Sequence, residues 1–363
     1  MNNTHSQTPT QLRFDALTGF RFLAASMVFI YHNRKFWRHD IHPELLRLMN
    51  EFHIGVAMLY VLSGYLIAYT YQDKPIQSGE SYLRYILLRC ARILPIYWII
   101  LTVYFLDPAY GKGNATLIYS LLHGFSSTLN LTGLAQSWSL TVEICFYLFA
   151  PIMFLLLRKK SIYIVLSLVG LFAATWVIGE VWTKINGNPL HFLQPLKFIF
   201  LGTFAGRSIE FLVGMVVAKM FSNGNSHIFI KIPNKTLFGF MGILITAYCI
   251  GLFQPNIYMQ GRDTIAGLLI HELILPLFVV MAIIGLIVEK TWLQRILASP
   301  ILVTLGNASY IFYLIHISYV NLKIKQFFLL PDRNFTILWI LSVLLYYSLE
   351  KPIYVFCRKW LKR

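Results

Sequence analysis

Charged side chains are scarce in this chain. Only 13% of the 363 residues are Asp, Glu, Lys or Arg, and just 15 are acidic, whereas 57% are hydrophobic and 16% aromatic. Soluble domains carry about a quarter charged residues, so this balance excludes that class and points to a chain whose solvent is a bilayer. Cysteine is sparse as well: Cys90, Cys145, Cys249 and Cys357 each lie in or beside an apolar stretch, with no C-x-x-C spacing. That excludes a disulfide framework or thiolate centre and leaves reduced packing residues; no metal site is implied. No G-x-G-x-x-G, Walker loop or G-x-S-x-G occurs, which argues against nucleotide hydrolysis and the soluble esterase mechanism. Internal repeats and low-complexity tracts are absent too. The N-terminal "MNNTHSQTPTQLRFDALTG" lacks an apolar core followed by a small-residue cleavage site, so the first hydrophobic helix is expected to stay in the mature protein.

Basic residues are plentiful, 31 in all, giving a formal charge of +16. They are scattered through short connectors and never form a long run, which disfavours a nucleic-acid partner and fits loop charges that set membrane topology. Apolar runs long enough to span about 30 Å of hydrocarbon occur ten times. They are residues 16–33, 52–71, 85–106, 139–157, 162–181, 207–222, 236–253, 264–288, 301–320 and 335–349. Residues 192–206 are apolar but short, and 115–135 are Leu-rich with polar interruptions, so both are expected to be re-entrant or interfacial. The fold expected is all-α: a polytopic transmembrane bundle of about ten spanning helices, one membrane domain over 1–363, embedded in membrane lipids with no attached soluble domain. Sorting Lys and Arg by alternate connectors places 17 on the side of the termini and 11 opposite. The N-terminal segment 1–15 and the basic tail 350–363 are therefore expected in the cytoplasm.

An ionisable side chain inside a span costs about 2.5–3.5 kcal/mol on insertion scales, so each needs a cavity, a partner or a task. In "GFRFLAASMVFIYHNRK", residues 19–35, Arg21 and His32 stand eleven positions apart. At about 100° and 1.5 Å per residue they return to within roughly 20° of one direction and lie about 16 Å apart, on one helix face. His32 is either an interfacial histidine wetted by headgroups or a base able to take a hydroxyl proton or carry an acyl group. In "LLRCARILPIYW", Arg89 and Arg92 share a face at i and i+3 where a helix leaves the cytoplasm, and two guanidiniums there either snorkel to lipid or grip an anionic ligand.

The remaining candidates are polar groups within apolar runs. In "SWSLTVEICFYLFAP", Ser139 is expected to cap a helix, and Glu143 falls in its first turn, where the macrodipole favours a carboxylate. Functionally, Glu143 is a partner for His32 or a base beside it, and Trp138 is an interfacial anchor or the wall of a sugar-binding mouth. Ser63, in "YVLSGYLIAY", precedes a glycine at mid-membrane, a pairing that usually allows close helix contact; it is retained as a donor-side candidate. Ser309, Tyr313 and His316 project within about 40° of one another and form a polar stripe that fits helix-to-helix hydrogen bonding or an acceptor site. His271 and Glu272 point to different faces and are assigned to helix contacts.

Taken together and in order, "LTGFRFLAASMVFIYH", "YVLSGYLIAY", "RCARILPIYW", "SWSLTVEICFYLFAP", "LGNASYIFYLIHISY" and "YYSLEKPIY" resemble the acyltransferase-3 family of integral membrane acyltransferases, over residues 16–352. That family includes bacterial enzymes that O-acetylate surface polysaccharides. The resemblance covers a basic residue and a His with ten residues between them (Arg21, His32), the R-x-x-R pair (Arg89, Arg92) and the acidic position of W-S-L-x-x-E (Glu143). Tyr60 stands where the pattern has Phe. The resemblance implies transfer of an acyl group, usually acetyl from cytosolic acetyl-CoA, to a hydroxyl of a carbohydrate or glycolipid acceptor. It makes His32 essential as general base or transient acyl carrier and links Arg21, Arg89 and Arg92 to the acyl-CoA donor. The location implied is the bacterial inner membrane, and self-association into a homo-oligomer is left open. The competing reading is a transporter or flippase of a glycan or lipid-linked sugar, whose paired broken helices in two related halves are not visible here.

Overall fold

The computed structural model describes residues 9–34, 41–71, 78–107, 113–159, 161–222, 232–256, 259–327 and 331–361. Of the basic residues sorted above, Lys35, Arg38, Lys74, Lys112, Lys160, Lys231, Lys362 and Arg363 lie outside them, as do residues 1–8 of the N-terminal segment.

An apolar sequence in a bilayer satisfies its backbone only within itself, and the described residues do so almost entirely as helix, apart from one isolated bridge between Ser126 and Phe192. Nine helical segments among them are long and apolar enough to cross a membrane. Their principal helices are α1 (Pro9–Asn33), α2 (Gly55–Tyr71), α3 (Gly79–Phe105), α4 (Trp138–Leu157), α5 (Ser161–Asn186), α6 (Phe204–Ser222), α7 (Lys235–Leu252), α8 (Leu275–Val288) and α9 (Pro331–Leu345). Helix α3 shows how the local sequence sets a boundary. Ser78 and Ser81 cap each other reciprocally at 3.1 Å, and Glu80 sits in the first turn.

The structure departs from the sequence expectation in four places. The run 301–320 is not one span but three short helices, Pro300–Asn307, Ser309–Ile315 and Tyr319–Phe327. At the breaks the hydroxyls of Ser309 and Ser318 bond the carbonyls of Gly306 and Ile315, three residues back, at 2.7 and 2.9 Å, contacts that compete with a continuous ladder. Residues 196–202, expected to be re-entrant, form a helix that leads into α6 after a break at Thr203, so this segment runs from Leu196 to Phe221. The run 264–288 widens into a π turn at Ile270–Ile274, two residues before Pro276, which has no N–H to continue the regular pattern. Helix α9 passes through a second π turn, Tyr346–Glu350, into Lys351–Trp360, well beyond residue 349. Residues 115–135 hold only short turns of helix, such as Ala115–Tyr119 and Leu122–Phe125, and do not span.

The chain divides into two compact units, Met1–Tyr65 with Val217–Tyr310, and Leu66–Val216 with Ile311–Arg363. In the first unit α1 lies against Trp292–Leu297 and Pro300–Asn307 at backbone distance. A Cβ on Gly19 would come within 2.0 Å of the Leu297 carbonyl oxygen, and one on Gly306 within 2.0 Å of that of Thr18. Close approach therefore requires glycine at both positions.

Helices α7 and α8 pair in the same unit, and Glu289, just past α8, closes them. The N-cap residue of α7, Asn234, makes no side-chain cap. Instead the Glu289 carboxylate accepts the orphan N–H groups of Lys235 and Thr236 at 2.7 and 2.8 Å, the Thr236 hydroxyl at 2.6 Å, and pairs with the Lys235 ammonium at 3.2 Å. In the second unit Phe146 of α4 stacks on Phe211 of α6 at 4.1 Å, and Phe312 on Trp339 at 3.8 Å. Beside Phe211, Arg207 and Glu210 form a fully buried ion pair at 3.0 Å.

Candidate active site

Arg21 and His32 ride the same unbroken helix, α1, so the eleven-residue spacing survives folding intact. Arg21 is half-buried and His32 exposed in the last turn. The imidazole packs edge-on against Tyr31, ring centroids 4.7 Å apart. Tyr31 is held from several sides. The Arg34 guanidinium covers its ring at 4.2 Å, the Gln260 amide donates to its hydroxyl, and His53 lies at 5.5 Å. His53 in turn meets His271 edge-on at 5.6 Å. Because a carbonyl only accepts, His53 Nδ1 carries the proton it donates to Glu51 O at 2.9 Å. Glu51 is fully buried and accepts from the Gln254 amide and the Gly261 N–H, both at 2.7 Å. His271 Nδ1 stands 3.1 Å from Glu272 within the π turn. Ser63, half-buried in α2, belongs to this unit as well.

The sequence reading passes over His53, Glu51 and Tyr31 and treats His271 and Glu272 as plain helix contacts. The only available signal was the count of ionisable groups within apolar runs. The π turn that gathers two of them has no sequence signature beyond the proline after it.

The other candidates lie in the second unit. Arg89 of α3 donates from Nη2 to the Tyr71 hydroxyl at 2.9 Å, and its guanidinium lies 5.0 Å from the Tyr71 ring centroid and 5.8 Å from that of Tyr85. Tyr71 and Tyr85 meet edge-on at 4.9 Å. Arg92, one turn on, is half-buried and makes no hydrogen bond or ion pair among the described residues. The Glu143 carboxylate accepts from the Tyr147 hydroxyl, and both arginines act electrostatically on that same hydroxyl. Glu143, expected in the first turn of its helix, sits in the second, since α4 begins at Trp138.

Ser139 is also displaced from its expected role. Ser137, not Ser139, precedes the helix, and the Ser139 hydroxyl donates back to Gln136 O at 2.9 Å. Having spent its one proton there, it accepts from the Tyr313 hydroxyl at 2.8 Å. Glu143 and Arg207 both act electrostatically on Tyr313. Arg89, Arg92, Glu143 and Arg207 are thus linked, in this unit, through the hydroxyls of Tyr147 and Tyr313. His316 is buried at the break after Ser309–Ile315 and donates from Nδ1 to Tyr313 O at 2.7 Å. Trp138 is half-buried at the start of α4.

The class is that of a membrane acyltransferase: a family profile described as "Acyltransferase domain" matches residues 14–349, and the chain belongs to that acyltransferase-3 family. Among curated proteins it is similar to acyltransferase MdmB of Streptomyces mycarofaciens, 25% identical over 329 residues that cover 85% of this chain and 79% of that one. It is also similar to a protein named "Putative O-acetyltransferase" in Staphylococcus aureus (strain COL), 24% identical over 97% of this chain. The match covers only 59% of that relative's length. No solved structure matches the chain.

Proposed function

We propose that this acyltransferase moves an acyl group, acetyl from cytosolic acetyl-CoA, to a hydroxyl of a cell-envelope or exported carbohydrate. The observation that carries the donor assignment is a set of polar atoms left for a ligand. Arg89 Nε and Tyr85 Oη are buried with no hydrogen-bond partner among the described residues, and Arg92, one turn on and half-buried, makes no hydrogen bond among them. Buried donors without partners are rare because each costs about 1–3 kcal/mol, and the phosphates of a CoA ester are the complement that two guanidiniums select.

The bound thioester supplies an activated acyl carbon with a good leaving group. His32 accepts the acceptor hydroxyl's proton as the oxygen attacks that carbon; the carbon–sulfur bond breaks, and the imidazolium returns the proton to the departing thiolate. Arg21, on the same face of α1, favours the negative charge of the donor, and Ser63 lines the donor side. Trp138, Ser139, Tyr313 and His316 hold the acceptor, and Glu143 sets the charge balance of the site. The chain resides in the inner membrane with both termini cytoplasmic, so that the donor is drawn from the cytosol.

Mass spectrometry of envelope glycans from cells with and without the gene tests this reading. Acetylated sugars should disappear with the gene and return with the wild-type chain. Identical glycan masses in both strains would remove it.

A further inference from the structure

The tyrosines around Arg89 are not explained by packing alone. Tyr85 is 2% exposed, and its hydroxyl reaches no hydrogen-bond partner among the described residues. It lies within electrostatic reach of Arg89, whose Nε is equally buried and equally without a partner. Tyr71 does something different: its hydroxyl accepts from Arg89 Nη2, and its ring lies edge-on to Tyr85 and beneath the guanidinium. A fold that needed only an apolar side chain at position 85 is better served by phenylalanine, because an unpaired buried hydroxyl costs stability and returns none. The groups left open, the Tyr85 hydroxyl and the guanidiniums of Arg89 and Arg92, can all donate, and only the Tyr85 oxygen can also accept. Two positive charges beside a hydroxyl with a proton to give are the complement of an oxyanion.

We propose that Tyr85 is an anion-binding residue. Its hydroxyl donates to the same phosphate oxygens that Arg89 Nε and Arg92 bind, and Tyr71 is a positioning residue that orients Arg89 for them. This rests on the donor reading above for the identity of the ligand, but the subsite itself requires only a phosphate.

Full-length protein in detergent, wild type and Tyr85→Phe, is titrated with acetyl-CoA, with inorganic pyrophosphate and with S-acetylpantetheine, which has the thioester and no phosphate. Unliganded melting temperatures are recorded alongside. Losing one hydrogen bond to a charged oxygen should weaken acetyl-CoA and pyrophosphate binding about 10-fold or more. S-acetylpantetheine binding should not change. The melting temperature of the unliganded variant should equal or exceed that of the wild type, whereas removal of a structural hydrogen bond would lower it. Unchanged affinity for both phosphate ligands, an equal loss for S-acetylpantetheine, or a variant that is less stable or fails to fold would each overturn the proposal. Wild-type protein that binds pyrophosphate but not acetyl-CoA would leave the subsite standing and refute the donor assignment. Wild-type protein that binds acetyl-CoA no better than Tyr85→Phe does would refute the subsite and leave the donor assignment intact.

Discussion

The hydroxyls of Ser139 and Tyr313 meet at 2.8 Å although 174 residues separate them, and the direction of that bond is set by the Ser139 proton being committed to Gln136 O. Tyr313 is therefore the donor. Tyr313→Phe removes that bond to Ser139, together with the longer 3.5 Å contact of the Tyr313 hydroxyl with Gln136 O, which should cost about 1 kcal/mol. Denaturant unfolding in detergent reads this directly. A cost above about 3 kcal/mol would mean that Tyr313 holds more than this contact.

Arg92 acts on the Tyr147 hydroxyl only electrostatically and makes no hydrogen bond or ion pair among the described residues, so Arg92→Ala should change stability little. The substitution should raise KM for acetyl-CoA about 10-fold or more while kcat and the acceptor KM move little. Steady-state kinetics with donor and acceptor varied separately makes the distinction. An effect confined to the acceptor KM would put the guanidinium on the wrong substrate.

Glu289 makes the fold sensitive to acid at a defined place. Burial works to raise its pKa, but hydrogen bonds from the Thr236 hydroxyl, the Thr236 and Lys235 N–H groups and the Lys235 ammonium outweigh it and hold the carboxyl below its ordinary value of 4.5. The clamp therefore contributes fully above that value and is lost as pH falls through the lower, folded value. Glu289→Gln should cost about 1–2 kcal/mol at neutral pH, the worth of a helix cap, and should flatten the acid limb of the stability curve. Parallel acid unfolding curves for variant and wild type would contradict the assignment.

If His32 accepts the acceptor's proton, the transfer rate should fall on acidification as the imidazole takes up a proton, because an imidazolium cannot act as base. The pH profile of kcat/KM is the check, and a profile with no acid limb would deny His32 the role of base.

Much of this architecture was legible because a bilayer imposes simple rules. Helix α1, with Arg21 and His32 on one face, is set by periodicity, and nine of the ten apolar runs lie in long helical segments. The run 301–320 does not, because its breaks are made by serine hydroxyls bonding carbonyls three residues back, and serine is unremarkable in an apolar span. Residues 196–202 looked too short to span because a one-residue break at Thr203 separates two helices that together are long enough. The cap on α7 comes from Glu289, 54 residues away, which no local pattern reveals. Around the candidate site, the arginines, His32 and Glu143 stood out as charges in an apolar context. Tyr71 and Tyr85 did not, since a tyrosine in a membrane helix looks the same whether it faces lipid, packs or binds. Buried histidines such as His53 were hidden by the ends of runs, where polar residues are ordinary.

His32, the imidazole at the end of α1, is the group proposed to activate the acceptor. Purified wild-type protein and His32→Ala, matched for folded content, are given labelled acetyl-CoA and a cell-envelope extract, and label in carbohydrate is counted. Wild-type protein should label the glycan and His32→Ala should fall to background while still binding acetyl-CoA. Equal labelling by the two proteins would contradict the account.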